Sequence, residues 1–247
     1  MLQFRRLLTA LLFATVALPA AADDIDFPAV TPGSQQDFER AMTDLTAAFS
    51  FKPLAPAEPL GTLGFHVGVI GSYTGIENED AWRSLTGEDF EDLGVLALAA
   101  GKGLPFGIDV GAFLADVPNS NVSLYGAELR YAISEGGIAT PAIGLRAAYT
   151  KLEGIDELDF DTKSLDLSIS KGFVMLTPYV GIGRVFGTAT PNGINSLAEG
   201  GDLEEADVNE NKYYAGVRFS LLLIKFTAEI DQTGDNTSYG LRASFGF

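Results

Sequence analysis

Residues Tyr239-Gly240-Leu241-Arg242-Ala243-Ser244-Phe245-Gly246-Phe247 end the chain on a strict alternation. Tyr239, Leu241, Ala243, Phe245 and Phe247 share one face of an extended segment, and Gly240, Arg242, Ser244 and Gly246 share the other. Successive side chains of a strand point to opposite faces, so this stretch reads as a strand with one apolar face and one small or charged face.

The same period of two runs back to Gly61. Leu63, Phe65, Val67 and Val69 stand opposite Gly64, His66 and Gly68. Phe106, Ile108 and Val110 alternate with Gly107, Asp109 and Gly111, and Tyr125 to Ile133 with Gly126, Glu128 and Arg130. Ile143 to Tyr149 alternate with Gly144, Arg146 and Ala148, and Leu165 to Ile169 with Asp166 and Ser168. Tyr213 to Leu221 alternate with Gly216, Arg218 and Ser220, and Ile224 to Ile230 with Lys225, Thr227 and Glu229. Two further segments, near 93–101 and 173–186, have small or apolar residues on both faces. The reading gives ten strands. It needs a turn at Leu222-Leu223, where the apolar parity switches from odd to even positions although no turn residue is present.

Two architectures share this alternation. A soluble barrel or sandwich turns its apolar face inward, whereas a membrane barrel turns it toward lipid and fills the lumen with polar and small residues. The polar face here is rich in glycine and carries both signs of charge: Asp109, Glu128, Arg130, Arg146, Asp166, Arg218, Glu229 and Arg242. Paired charges and small residues suit a narrow lumen better than a solvated surface. Tyr73, Tyr131, Tyr149, Tyr213 and Tyr239 lie near strand ends, as an interfacial girdle requires, and Lys163 and Lys171 flank Leu165–Ile169 on one face. The connections 74–92, 116–121, 151–162, 189–211 and 231–237 read as long or acidic, and those between them as tight. Long outer loops and short periplasmic turns are the outer-membrane pattern.

The N-terminus reads as a targeting segment. Arg5 and Arg6 precede an apolar run from Leu7 to Leu18, and Pro19-Ala20-Ala21-Ala22 supplies small residues. This predicts a signal peptide over 1–22. The run falls short of the about 20 residues that a spanning helix needs. Residues 23–60 are then expected as a periplasmic segment with a helix over 34–50, and 61–247 as the barrel. Ser34 and Asp37 form a capping-box pattern, and Phe38, Met42, Leu45 and Phe49 share one helical face. The linker 51–60 contains Pro53, Pro56 and Pro59. At about 3.1 Å per residue its reach is roughly 30 Å, which is taken to keep the helix at the periplasmic mouth as a cap or plug.

Composition narrows the function classes. The chain has 247 residues, 33 acidic against 16 basic, one histidine and no cysteine. The absence of cysteine excludes disulfides and thiolate metal sites, and the acidity argues against nucleic acid. The acid-rich loops lack EF-hand spacing, so neither a metal nor a cofactor is expected. His66 is the one candidate base; it faces the lumen without a recognisable nucleophile beside it, so catalysis is not expected.

The signal peptide, the dyad repeat and the terminal Phe together resemble a Gram-negative outer-membrane β-barrel. Residues 102–111 (KGLPFGIDVG) and 124–131 (LYGAELRY) are similar to a small, largely uncharacterised family of such barrels. The resemblance implies a terminal strand read by the barrel-assembly machinery through Tyr239, Leu241, Phe245 and Phe247, with lipid and lipopolysaccharide as surroundings. It implies no catalytic motif. The expectation is a porin-like envelope protein with a structural or narrow-channel transport role. The alternative is a soluble secreted or periplasmic barrel binding an apolar ligand.

Overall fold

A computed structural model describes residues 25–247; the expected signal peptide lies outside the described residues. The barrel strands are β1 (Phe65–Gly75), β2 (Asp92–Leu104), β3 (Ile108–Asp116), β4 (Ser123–Glu135), β5 (Ala142–Glu153), β6 (Leu158–Ser170), β7 (Leu176–Pro191), β8 (Ala206–Leu221), β9 (Ile224–Thr233) and β10 (Asn236–Gly246). Each pairs antiparallel with the next, and β10 closes onto β1 with Arg242 opposite Ile70. Closure pairs every strand edge, which is what lets a sheet cross a bilayer. The turn at Leu222-Leu223 is present: β8 ends at Leu221, and Leu222 takes φ 54°.

The apolar face points outward. Leu98 is 64 % exposed, Val180 53 % and Phe245 51 %, while Asp166 on the polar face is 1 % exposed. A soluble barrel would reverse these values, so the apolar-ligand alternative is overturned. The chain is a transmembrane β-barrel.

The interior has two tiers. Toward the long connections the wall turns Val95, Ala97, Phe113, Leu124, Phe160 and Val208 inward. Toward the short turns it presents Asp109, Glu128, Arg146, Glu229 and Arg242. The upper tier explains why 93–101 reads as apolar on both faces: one face meets lipid and the other packs on a helix inside the barrel.

That helix is α1 (Gln35–Phe49). Its capping box is formed, with the Ser34 hydroxyl accepting from Asp37 N and the Asp37 carboxylate accepting from Ser34 N. Phe38, Met42, Leu45 and Phe49 are buried; Phe38 packs edge-on against Phe27, and Phe49 against Phe160. Gly187 leaves room for the close approach of Thr46, since a Cβ there would strike the Thr46 hydroxyl.

The placement of α1 corrects the sequence reading. The helix lies at the long-connection end, opposite the mouth where β1 starts. It packs on a second helix, α2 (Glu79–Thr86), within the first long connection. Asp44 accepts from Trp82 Nε1 at 3.0 Å and from Asn236 Nδ2 at 2.7 Å. Thr31 donates to Leu85 O, Val30–Thr31 pairs in parallel with Asn195–Ser196, and Ile25 N reaches Asn121. The reach estimated for 51–60 is sound, but its consequence differs. Roughly 30 Å also matches the about 25 Å apolar band, so the linker spans the lumen instead of tethering the helix to the near mouth.

The connections need correction too. That between β9 and β10 is only Gly234-Asp235, and β7 and β8 continue their pairing to Ala189 and Ala206. Strands β5 and β6 likewise extend to Glu153 and from Leu158. Acidic sequence around turn residues such as Gly154, Gly193 and Gly234 reads as loop, yet ladder pairing continues wherever backbone partners remain in register.

Candidate functional site

The lumen is occupied by the chain's own residues 51–60, which descend from α1 to the start of β1. Pro53, Pro56 and Pro59 lack a backbone N–H, so the segment brings fewer donors into a water-poor space. The wall supplies partners for several of its remaining groups. Arg146 donates to Phe51 O at 2.7 Å, and Arg130 to Pro53 O at 2.9 Å and Pro56 O at 3.4 Å. Leu54 N donates to Glu229 at 2.9 Å, Ala57 N to Ser170 at 3.1 Å, and Leu60 N to both oxygens of Asp109 at 3.0 and 3.1 Å. Lys52 is buried and pairs with Asp231 at 3.0 Å, while also donating to Ser238 and Ala47 O.

Glycines on the wall make room for this path. A Cβ on Gly240 would stand 2.9 Å from the Leu54 side chain, and one on Gly144 would stand 3.2 Å from Ala57 O. Gly181 and Gly216 admit the rings of Tyr214 and Tyr179, which pack edge-to-face with centroids 6.3 Å apart. The glycine-rich polar face thus fits the inserted chain rather than an empty narrow bore.

The eight charges expected to form a lumen network all face inward, and the structure joins some of them. Arg146 bridges Glu128 at 2.5 Å and Asp166 at 2.7 Å, from the strands on either side. Arg130 lies 3.3 Å from Glu128. The others take partners that the reading did not assign. Arg218 pairs with Glu58 of the inserted segment at 2.5 Å. Asp109 and Glu229 bind backbone N–H groups of that segment, and Glu229 also accepts from Tyr179 at 2.7 Å. Arg242 meets His66 at 2.5 Å. Arg218 lies outside the wall's carboxylate pairs because its partner belongs to the inserted segment, and Arg242 because it meets a wall imidazole in place of a carboxylate. The only sequence signal for the inserted segment was three prolines spaced three apart.

His66 hydrogen-bonds to a guanidinium, not to a hydroxyl or carboxylate. Tyr239, Leu241, Phe245 and Phe247 lie on the lipid face, and Phe247 packs on Phe65 with centroids 5.0 Å apart. Lys171 bonds carbonyls of Gly137, Ile138 and Thr140 in the neighbouring turn, and Lys163 pairs with Asp161. At the loop end Arg40 grips Asp80 at 2.8 and 3.0 Å, holding that carboxyl below its ordinary range. Among the described residues no group of three or more acidic or histidine side chains is placed to hold a metal ion.

No family model and no curated protein matches the sequence. Several solved structures share the barrel at low identity. The chain is similar to Ail, the attachment invasion locus protein of Yersinia pestis (16% identity, TM-score 0.36, 74% of this chain and 97% of that one). It is also similar to the KdgM porin (8% identity, TM-score 0.40, 74% and 99%). A third is the outer membrane protein OprG from Pseudomonas aeruginosa (11% identity, TM-score 0.38, 78% and 99%). On its own geometry, a closed antiparallel barrel with a lipid-facing apolar belt, this chain is an outer-membrane protein.

Proposed function

We propose that the protein is a self-plugged, non-enzymatic barrel with a structural role in the outer membrane. Its acid-rich loop end faces the cell exterior, where α1 and α2 cover the mouth. The observation that carries this reading is the path of 51–60 through the lumen, bonded to Arg146, Arg130, Glu229 and Asp109 along its length. Lipid and lipopolysaccharide surround the apolar belt, and the assembly machinery reads the terminal strand. The non-enzymatic reading is supported by His66, the one imidazole, being engaged by Arg242.

Planar-bilayer recording of the full mature protein tests this. No steady conductance is expected, because the inserted segment and the paired charges leave no continuous water path. Large, stable single-channel steps would replace the structural role with a narrow-channel one.

A further inference from the structure

The charges at the turn end of the lumen are not all compensated. Beside the inserted segment lies a cavity of about 40 Å³ lined by that segment and by strands β1, β3, β4, β8, β9 and β10, with the basic side chains concentrated on the adjacent strands β8, β9 and β10. On their inner faces Lys225 stands opposite Ser244, Thr227 opposite Arg242, and Arg218 opposite Thr227, with His66 one strand further on. This is a grid of three bases and two hydroxyls on one patch of wall.

Arg218 is answered by Glu58. Arg242 is only 6 % exposed; among the described residues its hydrogen bonds go to His66 alone, and its Nε has no partner. The Nε of Arg218 is also buried without a partner. Among the described residues, the lumen ion pairs engage Arg130, Arg146, Arg218 and Lys52, and none includes Arg242 or Lys225. Three carboxylates line the same cavity: Glu58 pairs with Arg218, Glu128 with Arg130 and Arg146, and Asp109 accepts the Leu60 N–H on both oxygens. A buried cation is costly unless an anion or a set of acceptors answers it. A guanidinium presents a planar fork that suits an oxyanion, and hydroxyls and an ammonium complete a shell for its remaining oxygens.

The geometry points to a binding site for one small oxyanion of phosphate size, held by Arg242 and Lys225 with Thr227 and Ser244, and entered from the turn end. A water needs roughly 10–15 Å³ of such space, so the cavity holds a few waters or one polyatomic ion and excludes a sugar. The site lies inside the wall, away from lipid, so the anion is free phosphate from solution rather than a lipid headgroup.

The test is phosphorus NMR of inorganic phosphate titrated into the purified, full-length barrel in a phosphate-free detergent. Saturable line broadening is expected. Lys225→Gln and Arg242→Gln are each expected to weaken it by about tenfold or more, the loss of one charge-assisted contact. Lys163→Gln, which removes the same charge from the lipid face, leaves it unchanged. If Arg242→Gln fails to fold, judged by heat-modifiable gel migration, Thr227→Val and Lys225→Gln carry the test. Glycerol phosphate, the headgroup-sized arm, is expected to bind at least about tenfold more weakly. Absence of saturable binding, equal binding by Lys225→Gln, or equal binding of glycerol phosphate would overturn the site.

Discussion

Arg146 donates to the main-chain carbonyl of Phe51 at 2.7 Å, which ties the barrel wall to the chain threaded through it. The same guanidinium pairs with Glu128 and Asp166 and lies 5.0 Å from the Phe51 ring centroid. One side chain therefore bridges two buried acids, one of them shared with Arg130, and anchors the top of the inserted segment. Replacing Arg146 with Met leaves Asp166 without its ion-pair partner and Glu128 with Arg130 alone. Breaking a buried pair in this way costs about 3–5 kcal/mol. The expected outcome is a clearly lower denaturant midpoint, read by the heat-modifiable gel shift. An unchanged midpoint would mean that water already screens this network.

Asp44 holds the cover at the loop end. Its carboxylate is fully buried and accepts from Glu77 N, Asn78 N, Asn78 Nδ2, Trp82 Nε1 and Asn236 Nδ2, all outside α1: the connection before α2, α2 itself and the start of β10. Asp44→Ala strands these donors, each at about 1–3 kcal/mol where it stays buried. We expect α1 and α2 to separate while the barrel stays closed. Added protease should then cut near α1 while the membrane-embedded strands resist. Equal resistance in the variant and the wild type would show that apolar packing alone holds the cover.

Much of this architecture is legible in the sequence, because lipid on one side and a polar lumen on the other impose a period of two. The turn at Leu222-Leu223 follows from a parity switch even without a turn residue. Two features escape for a shared reason. The inner face of β2, with Val95 and Ala97, is apolar only because α1 packs on it, so the local pattern blurs. The partners of Arg218 and Leu60 lie across the lumen, on elements distant in sequence, where spacing carries no signal. Helix α2 is short and polar outside Ala81, Trp82 and Leu85, so an acidic loop hides it.

The contact between Arg40 and Asp80 sets an expectation for pH. Asp80 is depressed below its ordinary value of 3.8 by Arg40, so its contribution is present above that value. It is lost as pH falls through the lower folded value. Protease sensitivity of the α1–α2 cover should therefore be flat from about pH 5 to 8 and rise only in stronger acid. Because Asp80 is exposed, the rise should be small. A transition near neutral pH would point to a different group.

Phe247 is expected to matter more for assembly than for partitioning. Its side chain lies on the lipid face against Phe65, and its N–H donates to Phe65 O at 3.1 Å. A charge costs up to about 2–4 kcal/mol at mid-bilayer and least near an interface, where this residue sits. Phe247→Asp should thus be tolerated on partitioning grounds. We nevertheless expect its membrane level to fall several-fold, on the proposal that the terminal strand is the segment read during assembly. Unchanged membrane levels would remove that role.

The threaded topology makes the sharpest prediction. The chain has no cysteine, so each introduced thiol reports on a silent background. Gln36 is exposed on α1 at the loop end, and Leu63 is 78 % exposed at the turn end. If the loop end faces the exterior, an impermeant maleimide should label Gln36→Cys on intact cells. Leu63→Cys should be labelled only after the outer membrane is opened. Placement of α1 at the periplasmic mouth would reverse the first result. A cross-link separates the placement of α1 from barrel orientation: the Gln35 side chain bonds both Glu204 N and Glu204 O, at 2.9 and 3.2 Å. A short bis-maleimide should therefore join Gln35→Cys to Glu204→Cys and should not join Leu45→Cys to Gly246→Cys. Efficient joining of the second pair, with none of the first, would put α1 at the other end of the barrel and undo the threaded path.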